Sequence, residues 1–113
     1  MDSLRQQKVS RLLQKELSII FQQESSTYVP GGILTVTSVR ISPDLGVAKV
    51  YLSVFPSPKG DKALQIINEH SKNIRFHLGK TLRYQLRVVP ELIFYKDDSL
   101  DYAENIDHIM KDL

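Results

Sequence analysis

The chain has 113 residues, 42% apolar and 25% charged, with a formal net charge of +2 and no cysteine. This is one domain's length, enough to bury roughly 65% of the surface of its extended form. Disulfides, thiolate metal sites and a cysteine nucleophile are excluded, and no run reaches the ~18 apolar residues of a membrane-spanning helix.

The first residues, MDSLRQQKVSRLL, contain no apolar h-region. They are not a secretory signal, and the expected compartment is the cytoplasm. From Ser3 to about Glu24, Val9, Leu12, Leu13, Leu17, Ile20 and Phe21 recur at three-and-four spacing, which predicts an amphipathic helix capped by Asp2 or Ser3. Its polar side carries Arg5, Lys8, Arg11 and Lys15, diluted by Glu16 and Glu24. Of these, Arg11 is a candidate extension of a basic surface.

Ser25 to Gly32 reads as a polar connection ending in Pro30-Gly31-Gly32, where a helix cannot continue. Two strands are predicted next, Ile33–Ile41 and Val47–Phe55. Between them Ser42-Pro43-Asp44-Leu45-Gly46 supplies turn chemistry, with Pro43 presetting φ and Gly46 free to take a positive φ. The pair reads as an antiparallel hairpin.

Pro56-Ser57-Pro58 ends the second strand, and Asp61 is an expected N-cap for a helix starting near Lys62. The stripe Leu64, Ile67, Ser71, Ile74, Leu78, Leu82 then holds helical phase throughout. A Ser hydroxyl that bonds back to the preceding turn bends helices, so Ser71 marks either a hinge between two helices near His70 to Asn73 or one bent helix. Val88-Val89-Pro90 forces extended backbone, and Leu92–Lys96 is a short third strand. Ser99 caps a last helix bearing Tyr102, Ile106, Ile109, Met110 and Leu113 on one side. A two-helix crossover between strands two and three makes them parallel, which gives an α+β fold with a three-stranded mixed sheet, helices on one face and a short C-terminal helix.

Charge is unevenly distributed along this order. Residues 70–96 hold six cations against one acid, whereas residues 97–113 hold one cation against six acids. On a helix advancing ~100° per residue, Lys72, Lys80, Arg83 and Arg87 fall within about a quarter-turn, with Arg75 at one margin and Ile74, Leu78 and Leu82 opposite. Such a face is the electrostatic footprint of a phosphate-binding surface; it is equally the pattern of a solvated helix face. Phe76 lies on the same side, placed either to stack on an unpaired base or to tuck against Arg83 or the last strand.

Other chemistries have weaker support. Asp97, Asp98, Asp101, Glu104 and His108 are possible Mg²⁺ or Mn²⁺ ligands, but they read as an N-cap, first turn and polar helix face. His70, His77 and His108 have no matching Ser or Asp constellation, so the expectation is no catalytic residue, no metal, no cofactor and no small-molecule substrate. A basic amphipathic helix can lie on anionic lipid, yet Ile74, Leu78 and Leu82 continue the core stripe, so no membrane partner is expected.

Two separated blocks carry a resemblance to a known family. Thr35-Val36-Thr37-Ser38-Val39-Arg40-Ile41-Ser42-Pro43-Asp44-Leu45-Gly46-Val47-Ala48-Lys49-Val50-Tyr51 is similar to the signature of bacterial ribosome-binding factor A. So is the set Ile74-Arg75, Leu78-Gly79-Lys80, Leu82-Arg83, Arg87, Pro90-Glu91-Leu92, Phe94 and Asp97 to Ser99, and the first helix, with Val9 and Gln14-Lys15-Glu16-Leu17, also resembles the family. The resemblance implies a type II KH-like fold, αββααβ, with residues 1–113 as one RNA- and ribosome-binding domain. It further implies a cytoplasmic monomer that binds rRNA of immature small ribosomal subunits, assists maturation of the rRNA 5′ end and supports growth in the cold. Lys72, Arg75, Lys80, Arg83, Arg87 and Arg11 are then the expected RNA contacts. The family lacks the GXXG loop of RNA-binding KH domains and has a kink of small residues instead, usually Ala-x-Gly. Here that kink is His70-Ser71-Lys72, a departure from the pattern. The alternative is a general small RNA-binding or anionic-surface module without an assembly role.

Overall fold

The computed structural model describes residues 3–97. The predicted C-terminal helix, and with it Asp98, Asp101, Glu104 and His108, lies outside the described residues. Element order is α1 (Leu4–Tyr28), β1 (Ile33–Ile41), β2 (Val47–Phe55), a 3₁₀ turn (Ser57–Lys59), α2 (Gly60–Glu69), α3 (Ser71–Thr81) and β3 (Glu91–Lys96). The sheet order is β1-β2-β3, antiparallel between β1 and β2 and parallel between β2 and β3.

Helix α1 starts where its cap residues dictate. The Gln6 amide donates to Ser3 Oγ at 3.1 Å while the Ser3 amide donates to Gln6 Oε1 at 2.8 Å, a capping box that satisfies two amides the helix itself leaves unpaired. The helix runs a full turn past Glu24, beyond its expected end. Tyr28 explains the extension: it is buried, and its ring meets Phe21 edge-on at 5.8 Å and His70 at 6.1 Å. Packing at Tyr28 therefore outweighs the poor helix preference of Ser25-Ser26-Thr27. Burial, aided by the hydrogen-bonded Glu24 carboxylate, raises the Tyr28 phenol above its ordinary pKa.

Both hairpin strands occupy their expected bounds. The buried residues are Leu34, Val36, Val39 and Ile41 on β1, Ala48, Val50 and Leu52 on β2, and Leu92 and Phe94 on β3. The break in alternation between Val36 and Val39 is a β-bulge, which re-phases β1 so that both halves face the helices. All described helices pack on this one face, α1 against β1 and α2 and α3 toward β3. Leu13, Leu17, Phe21, Ile67, Leu78 and Leu82 fill the space between layers.

The turns depart from expectation in informative ways. Pro43 occupies the second position of a turn closed by the Leu45 amide on Ser42 O at 2.9 Å, but the positive φ, 61°, belongs to Leu45 and not to Gly46. Leu45 packs against the core, which offsets the strain of a left-handed leucine. The Asp44 carboxylate accepts from Ser42 Oγ at 2.6 Å and from the Gly46 amide at 3.0 Å, and these bonds hold its pKa below the ordinary value. Asp61 is not a cap, because α2 begins earlier, at Gly60 after Lys59. Its carboxylate instead pairs with Lys96 Nζ at 3.2 Å, an exposed pair of small energetic weight.

Gly31 takes φ 73°, and a Cβ on Gly32 would overlap Val29 Cγ1 and the backbone oxygen of Phe55. Backbone cannot yield as a flexible side chain does. Gly32→Ala is accordingly expected to destabilise the protein by about 1–3 kcal/mol, read as a lower urea midpoint at unchanged m.

The bend between α2 and α3 falls where the sequence places it, at His70. Its origin is different from the Ser71 back-bond. The His70 amide donates to both Ile66 O at 3.1 Å and Ile67 O at 3.0 Å, and His70 Nδ1 lies 2.8 Å from Ile66 O. His70 thus closes α2 with main chain and imidazole together, while its ring abuts Tyr28. Among the described residues, Ser71 makes no side-chain hydrogen bond to the preceding turn. The apolar stripe still crosses the bend in phase: Ile67, Ile74, Leu78 and Leu82 are all buried.

Candidate nucleic-acid interface

Helix α3 is shorter than the basic stripe that suggested it. It ends at Thr81, with Leu82 at φ −103° and ψ 13°, so Arg83 and Arg87 are not on the helix. The cause is the return of the chain toward β3. Pro90 disfavours helical backbone at Val89, and the Gln85 and Leu86 amides instead converge on Leu82 O at 2.9 and 2.8 Å to close a turn. Glu91 then joins the sheet region through its amide to Gly46 O at 2.9 Å.

The returning loop runs beside α3, and an open groove of about 630 Å³ forms between them. It is lined by Lys72, Arg75, Phe76, Gly79, Lys80, Arg83 and Val89, with no acidic side chain among them. Four of the six expected RNA contacts are therefore brought together. Arg87 is exposed on the loop outside this lining, and Arg11 is exposed on α1, the helix that packs over β1. Glu91 borders an adjoining hollow with Lys72 and Arg75.

The cations are not equivalent. Arg75 donates through Nε at 3.1 Å and Nη2 at 2.7 Å to Val89 O, so its guanidinium pins the loop to the helix and forms one wall of the groove. Lys80 Nζ sits 4.7 Å from the Phe76 ring centroid, and Arg83 Cζ lies 5.1 Å from the Tyr84 centroid. Phe76 is 67% exposed and lines the groove together with Arg83. Its ring and the Lys80 ammonium form a cation–π pair at the surface, presenting a flat apolar face beside a point charge. Lys72 is exposed at the first turn of α3.

Gly79 floors the groove opposite Val89. A methyl there would touch only Val89 Cγ2, at 3.5 Å, which is ordinary contact. Since a helical glycine is weaker than alanine, Gly79→Ala is expected to stabilise the protein by about 0.5–1 kcal/mol in denaturant titration.

No group of metal-ligating side chains occurs among the described residues. Of the candidate ligands on the C-terminal segment only Asp97 is described, and its carboxylate accepts from Thr37 Oγ1 across the sheet at 2.5 Å. No described helix is long and apolar enough to cross a membrane.

The ribosome-binding factor A family profile matches residues 5–110. The chain belongs to the ribosome-binding factor A family. It is 44% identical over 110 residues to ribosome-binding factor A of Cytophaga hutchinsonii, covering 97% of this chain and 83% of that protein. With the protein of the same name from Chlorobium phaeobacteroides it shares 40% identity over 113 residues, covering 98% and 95%. Among solved structures, the crystal structure of ribosome-binding factor A from Thermus thermophilus superposes with a TM-score of 0.66 at 25% identity, covering 80% of this chain and 94% of that one. A homology model of Thermus thermophilus ribosome-binding factor A, fitted into the cryo-EM map of a 30S complex with that factor, gives 0.59 at 27% identity, covering 77% and 93%. The mixed sheet with helices on one face and the αββααβ order are thus the family's KH-like fold.

Proposed function

We propose that the chain is a small-subunit assembly factor that binds rRNA through the α3 groove and performs no chemistry. One observation carries this reading: Lys72, Lys80 and Arg83 converge, around an exposed Phe76, on a groove with no acid among its described lining residues. Cations arranged this way neutralise phosphates and release counterions, while an aromatic face accepts an unpaired base. Contacts to phosphate and sugar position a protein on folded RNA by shape, which suits a factor that must recognise a conformation more than a sequence. Family membership, and a relative fitted as a homology model into the map of a 30S complex, favour the small subunit as the anion.

In this reading residues 1–113 act as one domain, a cytoplasmic monomer engaging immature subunits near the 5′ region of their rRNA. Holding one rRNA conformer until the 5′ end matures would matter most in the cold, when misfolded RNA escapes slowly. Co-sedimentation with immature and mature small subunits over a salt series tests the proposal. Preference for the immature particle, with affinity falling steeply as salt rises, is the expected result. Equal binding to both particles would leave a general RNA-binding module, and binding to anionic vesicles alone would overturn the reading.

A further inference from the structure

The sheet face opposite the helices is uncovered by any described element, and its side chains are unusual for a merely solvated surface. Arg40 on β1 and Lys49 on β2 are direct cross-strand partners. Like charges placed so are destabilising, and neither side chain makes an ion pair or hydrogen bond among the described residues. Beside them Tyr51 and Tyr95, partners across β2 and β3, stack with centroids 5.6 Å apart and planes 25° from parallel. Tyr95 is 39% exposed and stands on the edge strand, so its ring face turned away from Tyr51 is available to continue the stack. Arg40, Lys49 and Tyr51 also border one shallow hollow of about 380 Å³.

From these observations we infer that the open sheet face is a second RNA-binding surface, separate from the α3 groove, which takes an unpaired segment with a base on Tyr95 and phosphates on Arg40 and Lys49. A base stacks on any aromatic plane whatever its sequence, and an aromatic pair already held parallel by the sheet loses little freedom in accepting one. The Arg40–Lys49 repulsion is relieved when a phosphate lies between them, so the arrangement is weak alone and strong when occupied. A duplex cannot present a bare base face to Tyr95. The surface therefore selects single-stranded RNA, whereas the groove selects by charge and shape.

The charged pair supplies a test in which binding and stability move in opposite directions. Arg40→Glu converts a like-charged pair into an opposite one and is expected to raise Tm by about 1–5 °C. The same change is expected to weaken binding of a single-stranded RNA of about ten nucleotides, followed by fluorescence anisotropy, by roughly tenfold. Tyr95→Leu should lose a comparable factor, together with the quenching of a fluorescent purine analogue in the RNA, and Tyr95→Phe should retain both. A duplex of the same sequence should respond to Lys80→Glu and not to Tyr95→Leu. If Arg40→Glu and Tyr95→Leu both bind the single strand as the unaltered protein does, the inference fails while the groove reading stands. Concentration-dependent self-association abolished by Tyr95→Leu would overturn it too, by showing that the face meets a second copy of the chain.

Discussion

Replacing Lys80 and Arg83 together by glutamate is expected to weaken small-subunit binding by roughly a hundredfold or more at moderate salt. Charge-assisted contacts are worth about 1.5–3 kcal/mol each, and about 1.4 kcal/mol is a factor of ten. The slope of log affinity against log salt should fall in magnitude by about 1.5–2, because two phosphate contacts no longer release counterions. Both side chains are exposed and neither accepts or donates a hydrogen bond that holds the fold, so stability should change by no more than about 0.5 kcal/mol. Arg75→Glu is a poorer test despite its central place. It would cut the guanidinium contact to Val89 O and release the loop, which confounds lost charge with lost geometry. Arg11→Glu and Arg87→Glu, whose side chains do not line the groove, are expected to lose affinity by only a few-fold through the long-range field. Salt-series co-sedimentation of the four variants measures all of this, and an unchanged slope for the Lys80/Arg83 variant would place the interface elsewhere.

The contrast among these arginines marks how far sequence reasoning reaches. Local signals were legible: the cap at Asp2 or Ser3, the alternating strands, Pro30-Gly31-Gly32 and the bend at His70 all act over a few residues. The cationic set was also legible, because Lys72, Arg75 and Lys80 share a helix whose buried stripe dictates which way they face. Arg83 reaches the groove for a reason the helical wheel did not contain. The turn closed on Leu82 O keeps Leu82 buried and leaves Arg83 beside α3, although the helix has ended. The same turn carries Arg87 away. Contacts between distant segments were out of reach of any spacing rule, notably Arg75 with Val89 O and Tyr28 with His70. The Arg40–Lys49 pair was hidden for a related reason. Its partnership depends on the bulge between Val36 and Ser38, which shifts the register of β1 by one residue and so decides which charges oppose each other.

The same distinction between buried and presented aromatics sets the largest expected stability effect, at Phe21. Its side chain is 1% exposed, and its ring meets Phe94 of β3 and Tyr28 of α1 edge-on, each at 5.8 Å. Tyr28 in turn abuts His70, so one chain of rings runs from the sheet through α1 to the α2–α3 bend. Phe21→Ala removes the ring that joins Phe94 to Tyr28. The lost transfer energy and the cavity left between rigid layers together cost about 3–5 kcal/mol, a large part of the ~5–15 kcal/mol that holds a domain folded. On a domain of this size Tm should fall by roughly 15–30 °C, and the urea midpoint should drop at nearly constant m. A loss below about 1 kcal/mol would mean that the layers close over the cavity and that the ring chain is not a structural axis. Phe76→Ala makes the opposite prediction from the same element types: exposed beside Lys80, it should leave stability within about 0.5 kcal/mol while weakening RNA binding. Because Phe21 lies in the core and does not line the groove, any folded Phe21→Ala protein should retain the groove's salt dependence, which separates loss of fold from loss of interface.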